Sequence, residues 1–392
     1  MRRFLPIERA LVAVVLVFGV RAWAQESATA NHPLWKTDLR QFGYQKFSSQ
    51  SVKYMRLAVD FADDEHVAVA WISPDATKLS ESKGPKLGDP AHLHVVILDG
   101  RTGRKQNQKD WSAGYSSLPF LRGTANGLLI CTGNSLRLVS PALDVVREEE
   151  LPDHGICAST MLQLSPSRRR SLLTIHGEEI HQELLNAETL ATISAWTEPR
   201  GEHPDHAIAF SDSWLAGYCG EPSEICVRQS RQEEWRPLRS KGLDTRMEKG
   251  WHERASFLSD ELLAITQSST TTIATIGGEV MFQIKSPKGH FLVTPIPSGG
   301  GERFAVIEYR LRGLRSEPLD MYPSRADDRM FVYSIKDRGA VFSLKLEGMS
   351  PWMPWNAHIN SVALPPKGTS LAVLSDALLT VYGLPEDEAR RH

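Results

Sequence analysis

The sequence predicts an all-β chain folded as a seven-bladed β-propeller of four-stranded blades, its ring closed by an N-terminal strand. Three observations carry that prediction. Almost every apolar run is four to seven residues long, rich in Val, Ile, Leu, Phe and Tyr, and bounded by Gly, Pro, Asp, Asn or Ser, which is the punctuation of strands and hairpins. A strand, turn, strand unit recurs along the chain. A long all-β chain must also dispose of its sheet edges, and a closed ring of blades does so where a sandwich of this size rarely can.

The repeat is clearest in Met161 to Ile175 and in Ser361 to Leu374, each a strand, a Pro-containing turn and a strand. A second hairpin with a polar turn follows in Val95 to Arg104, in Glu183 to Leu190 and more loosely in Val332 to Val341. The stretch nearest to a helical pattern, Glu178 to Leu190, is broken into short clusters by turn signals and is read as a hairpin too. First strands are expected to begin near Arg56, Leu118, Met161, Ala207, Ala255, Phe291 and Ser361, at intervals of 62, 43, 46, 48, 36 and 70 residues. That is close to a blade period with two long outliers, and the degeneracy of the copies leaves six or eight blades as alternatives. The last unit has strands near Leu371 to Leu374 and Leu378 to Tyr382, after which Gly383 to His392 is too polar for a fourth strand. Leu34 to Leu39 is a spare alternating segment, and pairing it with Leu378 to Tyr382 would close the ring.

The turn motifs Ser165-Pro166, Pro365-Pro366-Lys367-Gly368 and Asp99-Gly-Arg-Thr-Gly103 are where the units resemble the WD-repeat, YVTN and quinoprotein-dehydrogenase-like propellers, over residues 34–383. The resemblance implies architecture only, because such turns serve proteins of unrelated function. The chain lacks the Trp-Asp dipeptide that ends WD-repeat blades. It also lacks the adjacent-cysteine pair and the tryptophan docking repeats of the quinoproteins, so no cofactor residue carries over.

Residues 1–24 read as a signal peptide: Arg2 and Arg3, an apolar run from Leu11 to Val20, and Ala22-Trp23-Ala24 before Gln25. Ten apolar residues closed by Arg21 are too few to span about 30 Å of hydrocarbon as a helix. Residues 25–33 are then a linker, 34–383 the propeller domain and 384–392 a polar C-terminal tail. The expected destination is the periplasm or the extracellular space, with no transmembrane segment left after cleavage. The leader holds four Arg and one Glu, leaving 41 basic against 46 acidic residues, a net charge of −5. That surface excludes a general binder of nucleic acid, whose affinity rests on neutralising phosphates. A 41% hydrophobic chain with 28 Gly and 23 Pro is also neither disordered nor a coiled coil.

Four cysteines in an exported chain are disulfide candidates. Cys219 and Cys226 flank a turn and are expected to bridge a hairpin mouth. Cys131 and Cys157 are the second candidate pair, with free buried thiols as the alternative, and the spacings match no zinc ribbon.

Strand direction gathers the long loops, Ser73 to Ala91 and Leu311 to Asp328, on one face with the Cys219 to Cys226 turn, and long loops on a rigid scaffold are where binding usually lives. His154, His206, His252, His290 and His358 precede first strands on that face and are candidate binding residues. In WD-like propellers a His at this repeated place bonds within its own blade, so no metal site is expected. Trp111, Trp196, Trp235 and Trp251 are expected to pack between blades, while Trp352 and Trp355 are candidates for an exposed aromatic contact. Arg310, Arg312, Arg315, Arg325 and Arg329 make the second long loop basic, and Arg312 and Arg315 are candidates for meeting an anionic partner. Three histidine groups are read as local: Glu202-His203-Pro-Asp205-His206 as a solvated loop, His176 and His181 as facing one another across a hairpin, and His92 and His94 as sharing a strand face near Asp89. There is no Gly-x-Ser-x-Gly elbow, no phosphate-binding loop and no Glu-rich metal set; Gly299-Gly300-Gly301 sits in a turn. The expectation is an exported non-catalytic binding or scaffold module that recognises a protein, peptide or glycan and carries no cofactor. The alternative is a propeller hydrolase or oxidoreductase with a metal or cofactor in its funnel.

Overall fold

The computed structural model describes residues 32–45, 57–74, 89–114, 120–132, 134–151, 160–176, 178–199, 207–219, 224–230, 232, 234–239, 254–311, 325–346, 361–375 and 377–386. Seven antiparallel sheets form a seven-bladed propeller. Blade 1 holds Leu57–Phe61, His66–Pro74, Pro90–Asp99 and Lys105–Gly114, and blade 2 holds Phe120–Gly123, Leu128–Thr132, Ser135–Val139 and Val145–Glu150. Blade 3 holds Thr160–Leu164, Arg170–His176, Glu179–Asn186 and Thr192–Pro199, and blade 4 holds Ala207–Phe210, Trp214–Cys219, Glu224–Gln229 and Arg236–Pro237. Blade 5 holds Arg254–Phe257, Leu262–Gln267, Thr270–Thr275 and Val280–Lys285. In blade 6 the first strand comes in two pieces, His290–Leu292 and Ile296–Pro297, both paired with Arg303–Leu311, followed by Arg325–Ser334 and Gly339–Lys345. Pro295 and Pro297 lack the amide hydrogen that an unbroken ladder needs there.

Blade 7 takes Val362–Ala363, Ser370–Ser375 and Leu378–Gly383 from the C-terminal end and its outer strand, Pro33–Asp38, from the N-terminal end. The latch pairs from Pro33 opposite Tyr382, through a bulge before Trp35, to Asp38 opposite Leu378, as the spare segment and the missing strand required. It stops at Asp38, whose side chain caps a 3-10 turn, Leu39–Phe42, by accepting the Arg40 amide at 2.9 Å.

Packing follows from position in the ring. Inner strands are covered by a neighbouring blade on both faces, so a run such as Val67 to Ile72 is buried throughout rather than alternating. Outer strands meet water, and Val145–Glu150 is exposed along its whole length. The core is divided into layers between blades; the layer joining blade 7 to blade 1 holds Trp35, Leu39, Phe61, Val69, Trp71, Leu98, Leu379 and Val381.

Because strand direction alternates, the first-to-second and third-to-fourth turns share one face, here called the turn face, and the remaining connections share the other, the loop face. On the turn face the two turns of a blade are tied by a repeated bond: Gly100 N–H to Glu65 O (2.6 Å), Ala187 to Arg169, Ser230 to Ser213, Ile276 to Glu261, Ile335 to Glu302 and Leu384 to Thr369. Further bonds run from blade to blade. Asp60 accepts from Gly123 N–H (2.9 Å), Arg168 O from Ala125 N–H (3.2 Å), Asp212 from Ser167 (2.8 Å) and Asp260 from Ser211 and Ser213 (both 2.7 Å). Pro366 O then accepts from Gly300 N–H (2.6 Å) and Asp64 from Lys367 N–H (2.8 Å), which returns the chain of bonds to blade 1. Between blades 5 and 6 the join is a close approach, since a Cβ added at Gly301 would stand 2.8 Å from Leu258 O.

The latch is keyed into the same face. Trp35 donates its indole N–H to Gly100 O at 2.8 Å, and its ring lies over Gly103, which has φ +70° and no room for a side chain. Only glycine meets both demands at that position.

Candidate functional site

At the loop face the hairpins reach further than the sequence predicts. Pro74 pairs with Ala91 and Leu311 with Arg325, so the two long loops are shorter than Ser73 to Ala91 and Leu311 to Asp328; what connects those strand ends lies outside the described residues. Cys219 and Cys226 form the expected disulfide across the second-to-third connection of blade 4, with Cα atoms 5.8 Å apart. Cys131, on the second strand of blade 2, is also disulfide-bonded, and Cys157 lies outside the described residues.

His154, His206, His252, His358, Trp352, Trp355, Arg312 and Arg315 lie outside the described residues. His290 opens the first strand of blade 6 and places Nδ1 3.1 Å from Glu308 Oε1 on the next strand, a pairing within its own blade. Arg310 and Arg329 are exposed near the loop-face end of blade 6. Among the described residues no three His, Cys, Asp or Glu gather as metal ligands would. On their hairpin His176 stands opposite Ile180 and His181 opposite Ile175, so the two are not paired residues of the ladder.

Of the tryptophans expected to pack, Trp251 lies outside the described residues, and Trp111, Trp196 and Trp235 are half-buried against the layers between blades. Trp196 and Trp235 sandwich the Arg228 guanidinium at 5.2 and 4.7 Å, and Lys109 lies over Trp111 at 5.4 Å. Trp196 also donates to the buried Gln182, whose amide bonds both ways with the Ala207 backbone of blade 4.

The ring is crossed at the turn face by Arg168, a residue the sequence presents only as part of a basic run. Arg168 sits at the left-handed position of its turn (φ +62°), where blades 6 and 7 have Gly301 (φ +69°) and Gly368 (φ +61°). From blade 3 its guanidinium donates to Phe61 O (2.7 Å) and Asp60 (3.2 Å) in blade 1 and to Leu364 O (2.7 Å) in blade 7. It also bears on the blade 6 turn, where a Cβ on Gly299 would come within 3.2 Å of its Nε. Arg122 stands nearby; burial pushes its guanidinium below the ordinary range, Asp60 draws it back up and Arg168 lowers it further.

A second cluster was half legible. His94 lies on the third strand of blade 1 between Ser73 on the second strand and Asp110 on the fourth. Ser73 Oγ is 2.6 Å from His94 Nε2, and His94 Nδ1 is 2.8 Å from Asp110 Oδ1. The imidazole stacks on Trp71 with centroids 5.2 Å apart and planes 21° apart, and Tyr44 meets Trp71 edge-on at 6.1 Å. The pairing of His92 with His94 was visible in the sequence, with ring centroids now 6.4 Å apart, but the partners Ser73 and Asp110 were not.

No protein-family profile matches the chain, and no curated protein matches it either. Among solved structures, a chain in the crystal structure of the mitotic checkpoint complex is similar at 13% identity, over 91% of this chain and 95% of that one, with a TM-score of 0.50. Raptor of Chaetomium thermophilum is similar at 14% identity and a TM-score of 0.52, over 91% of this chain and 29% of that one. BamB from Moraxella catarrhalis is similar at 13% identity, over 90% of this chain and 99% of that one, with a TM-score of 0.39. The likenesses to the checkpoint chain and to Raptor concern the fold alone, which the seven sheets make a seven-bladed propeller.

Proposed function

We propose that the chain is an exported propeller scaffold whose loop face recognises a protein, peptide or glycan. The observation that carries this reading is the turn-face end of the central channel, which Arg168 crosses from blade 3 to blades 1 and 7. Arg168 and the bonded turns occupy one end, so a partner that uses the funnel approaches from the other. The likeness to a chain of the mitotic checkpoint complex, an assembly by its name, supports a role in assembly. The Cys219–Cys226 disulfide supports export, since such bonds persist in oxidising compartments. No helix among the described residues is long and apolar enough to cross a membrane.

The test is site-specific photo-crosslinking in producing cells. A photoreactive residue at His92 or Arg310, at the loop-face ends of blades 1 and 6, is expected to give one discrete adduct. The same residue at Glu65 or Glu188, in turns of the opposite face, is expected to give none. Adducts confined to Glu65 and Glu188, or absent throughout, would overturn the reading. N-terminal sequencing of the mature chain should begin at Gln25; retention of the leader would remove export.

A further inference from the structure

We propose that Ser73, His94 and Asp110 form a nucleophilic serine site on the flank of blade 1 that accepts acyl groups from carboxylic esters, an activity separate from the scaffold reading and independent of it. The three side chains occupy successive strands and line up as nucleophile, base and orienting acid. An ionised Asp110 can only accept a hydrogen bond, so Nδ1 of His94 carries the proton, and Nε2 presents its lone pair to the Ser73 hydroxyl 2.6 Å away. Such an arrangement makes a serine nucleophilic wherever the base is held by a third group, whatever the fold and the order in sequence.

Two further features separate this line from a bond that merely braces the sheet. The ladder between His66–Pro74 and Pro90–Asp99 runs without it from His66 opposite Asp99 to Pro74 opposite Ala91, and the one irregularity between Pro90–Asp99 and Lys105–Gly114, at Ile97 and Leu98, lies away from His94. The line also opens to water: the side chains of Asp110 and His94 are 51% and 20% exposed, and the neighbouring His92 and Ser112 are exposed. The imidazole is meanwhile fixed from below by Trp71, which is 2% exposed. A rigid base beside a half-buried hydroxyl at the edge of that opening is what an acyl acceptor requires.

In the reaction Ser73 Oγ attacks the ester carbonyl carbon while its proton passes to His94 Nε2. The carbon–oxygen bond to the alcohol then breaks, and the alcohol leaves with the proton from His94. Water attacks the acyl-serine, gives a proton to His94, and the carboxylic acid departs as Ser73 regains its hydrogen. Asp110 acts through His94 and is a positioning residue.

The experiment treats the full mature chain with an alkyl fluorophosphonate, which bonds phosphorus to Oγ with loss of fluoride, and maps the adduct by mass spectrometry. One adduct per chain on Ser73 is expected, lost in Ser73→Ala and kept in Ser112→Ala. Ser73→Cys should instead take iodoacetamide at that position, which covers failure of the alanine variant to fold. The labelling rate should rise with pH and level off once the base is free to take the Ser73 proton. The ionisable groups around His94 are Asp110, His92 and, beyond Trp71, Tyr44. Asp110→Asn, which keeps the shape, should lower the plateau at least tenfold, and Asp110→Glu, which keeps the carboxylate, should restore part of it, a pattern that a purely structural Asp110 would not give. Slow turnover of p-nitrophenyl acetate should disappear with the label. An unlabelled wild-type chain, or an adduct that persists in Ser73→Ala, would overturn the proposal.

Discussion

At the turn face, Asp60, Asp64, Asp212 and Asp260 each take a hydrogen bond from the neighbouring blade, whereas at the loop face His290 with Glu308 and Cys219 with Cys226 bind partners within one blade. Gln182, bonded to Ala207 of the next blade, is a bridge nearer the loop face. The same strands thus end in two regimes. Where turns recur with one chemistry, blade is tied to blade and the ring is defined. The other ends are largely relieved of that duty, and residues there can vary without loosening the ring.

The largest way to break this comparison is through the latch. Trp35→Ala removes a side chain buried against Gly103 and the bond to Gly100 O, and should cost about 3–5 kcal/mol in denaturant unfolding. At the loop face, Arg310→Ala should stay within about 0.5 kcal/mol. Equal losses in the two variants would dissolve the distinction between the faces.

Arg168 offers a sharper test, because one position holds both a clamp and a strained backbone. Arg168→Ala strips Asp60 of its buried partner and should cost about 3 kcal/mol. Arg168→Gly loses the same bonds but relieves the positive φ, so it should be about 1 kcal/mol less damaging than the alanine. If the glycine variant matched wild type, the guanidinium would not be bracing the ring.

The smallest effect is the dependence on pH at the joint of blades 4 and 5. Partial burial works against ionisation of Asp260, but hydrogen bonds from the Ser213 and Ser211 hydroxyls and the Ser213 amide hold its carboxyl below the ordinary value. A depressed folded value means the stabilisation is present above the unfolded carboxylate range, near about 3.9, and fades as pH falls through the folded value. The gap in stability between wild type and Asp260→Asn should therefore be full at pH 6 and shrink on acidification through that range. A gap that stayed constant would show that the charge of Asp260 does not matter to the joint.

Most of the ring was legible in the sequence because it is written in turn chemistry. The first strands begin at Leu57, Phe120, Thr160, Ala207, Arg254, His290 and Val362, each within two residues of the start expected from Gly, Pro and Asp punctuation. The latch was legible because a polar tail after Gly383 left the last blade one strand short. Arg168 was not, since an arginine in Ser167-Arg-Arg-Arg170 reads as solvated charge, and nothing local says that its backbone takes the place of a glycine. Ser73, His94 and Asp110 escaped for a different reason: they are 21 and 16 residues apart, and their meeting depends on the register of two hairpins. Of the histidines proposed from the sequence, His290 alone falls among the described residues, where it pairs with Glu308.

Pro33 pairs with Tyr382, so the first strand of the ring to be synthesised waits for the last. Until then six blades have no fixed circumference, and Leu34 and Trp35 face the chain without a partner strand. Such distant pairing is the slow limit of folding, because the loop must close before any contact rewards it. Completion of the ring therefore comes late in folding: the pairing of the two chain-distant strands, rather than the arrival of any one blade, fixes the circumference.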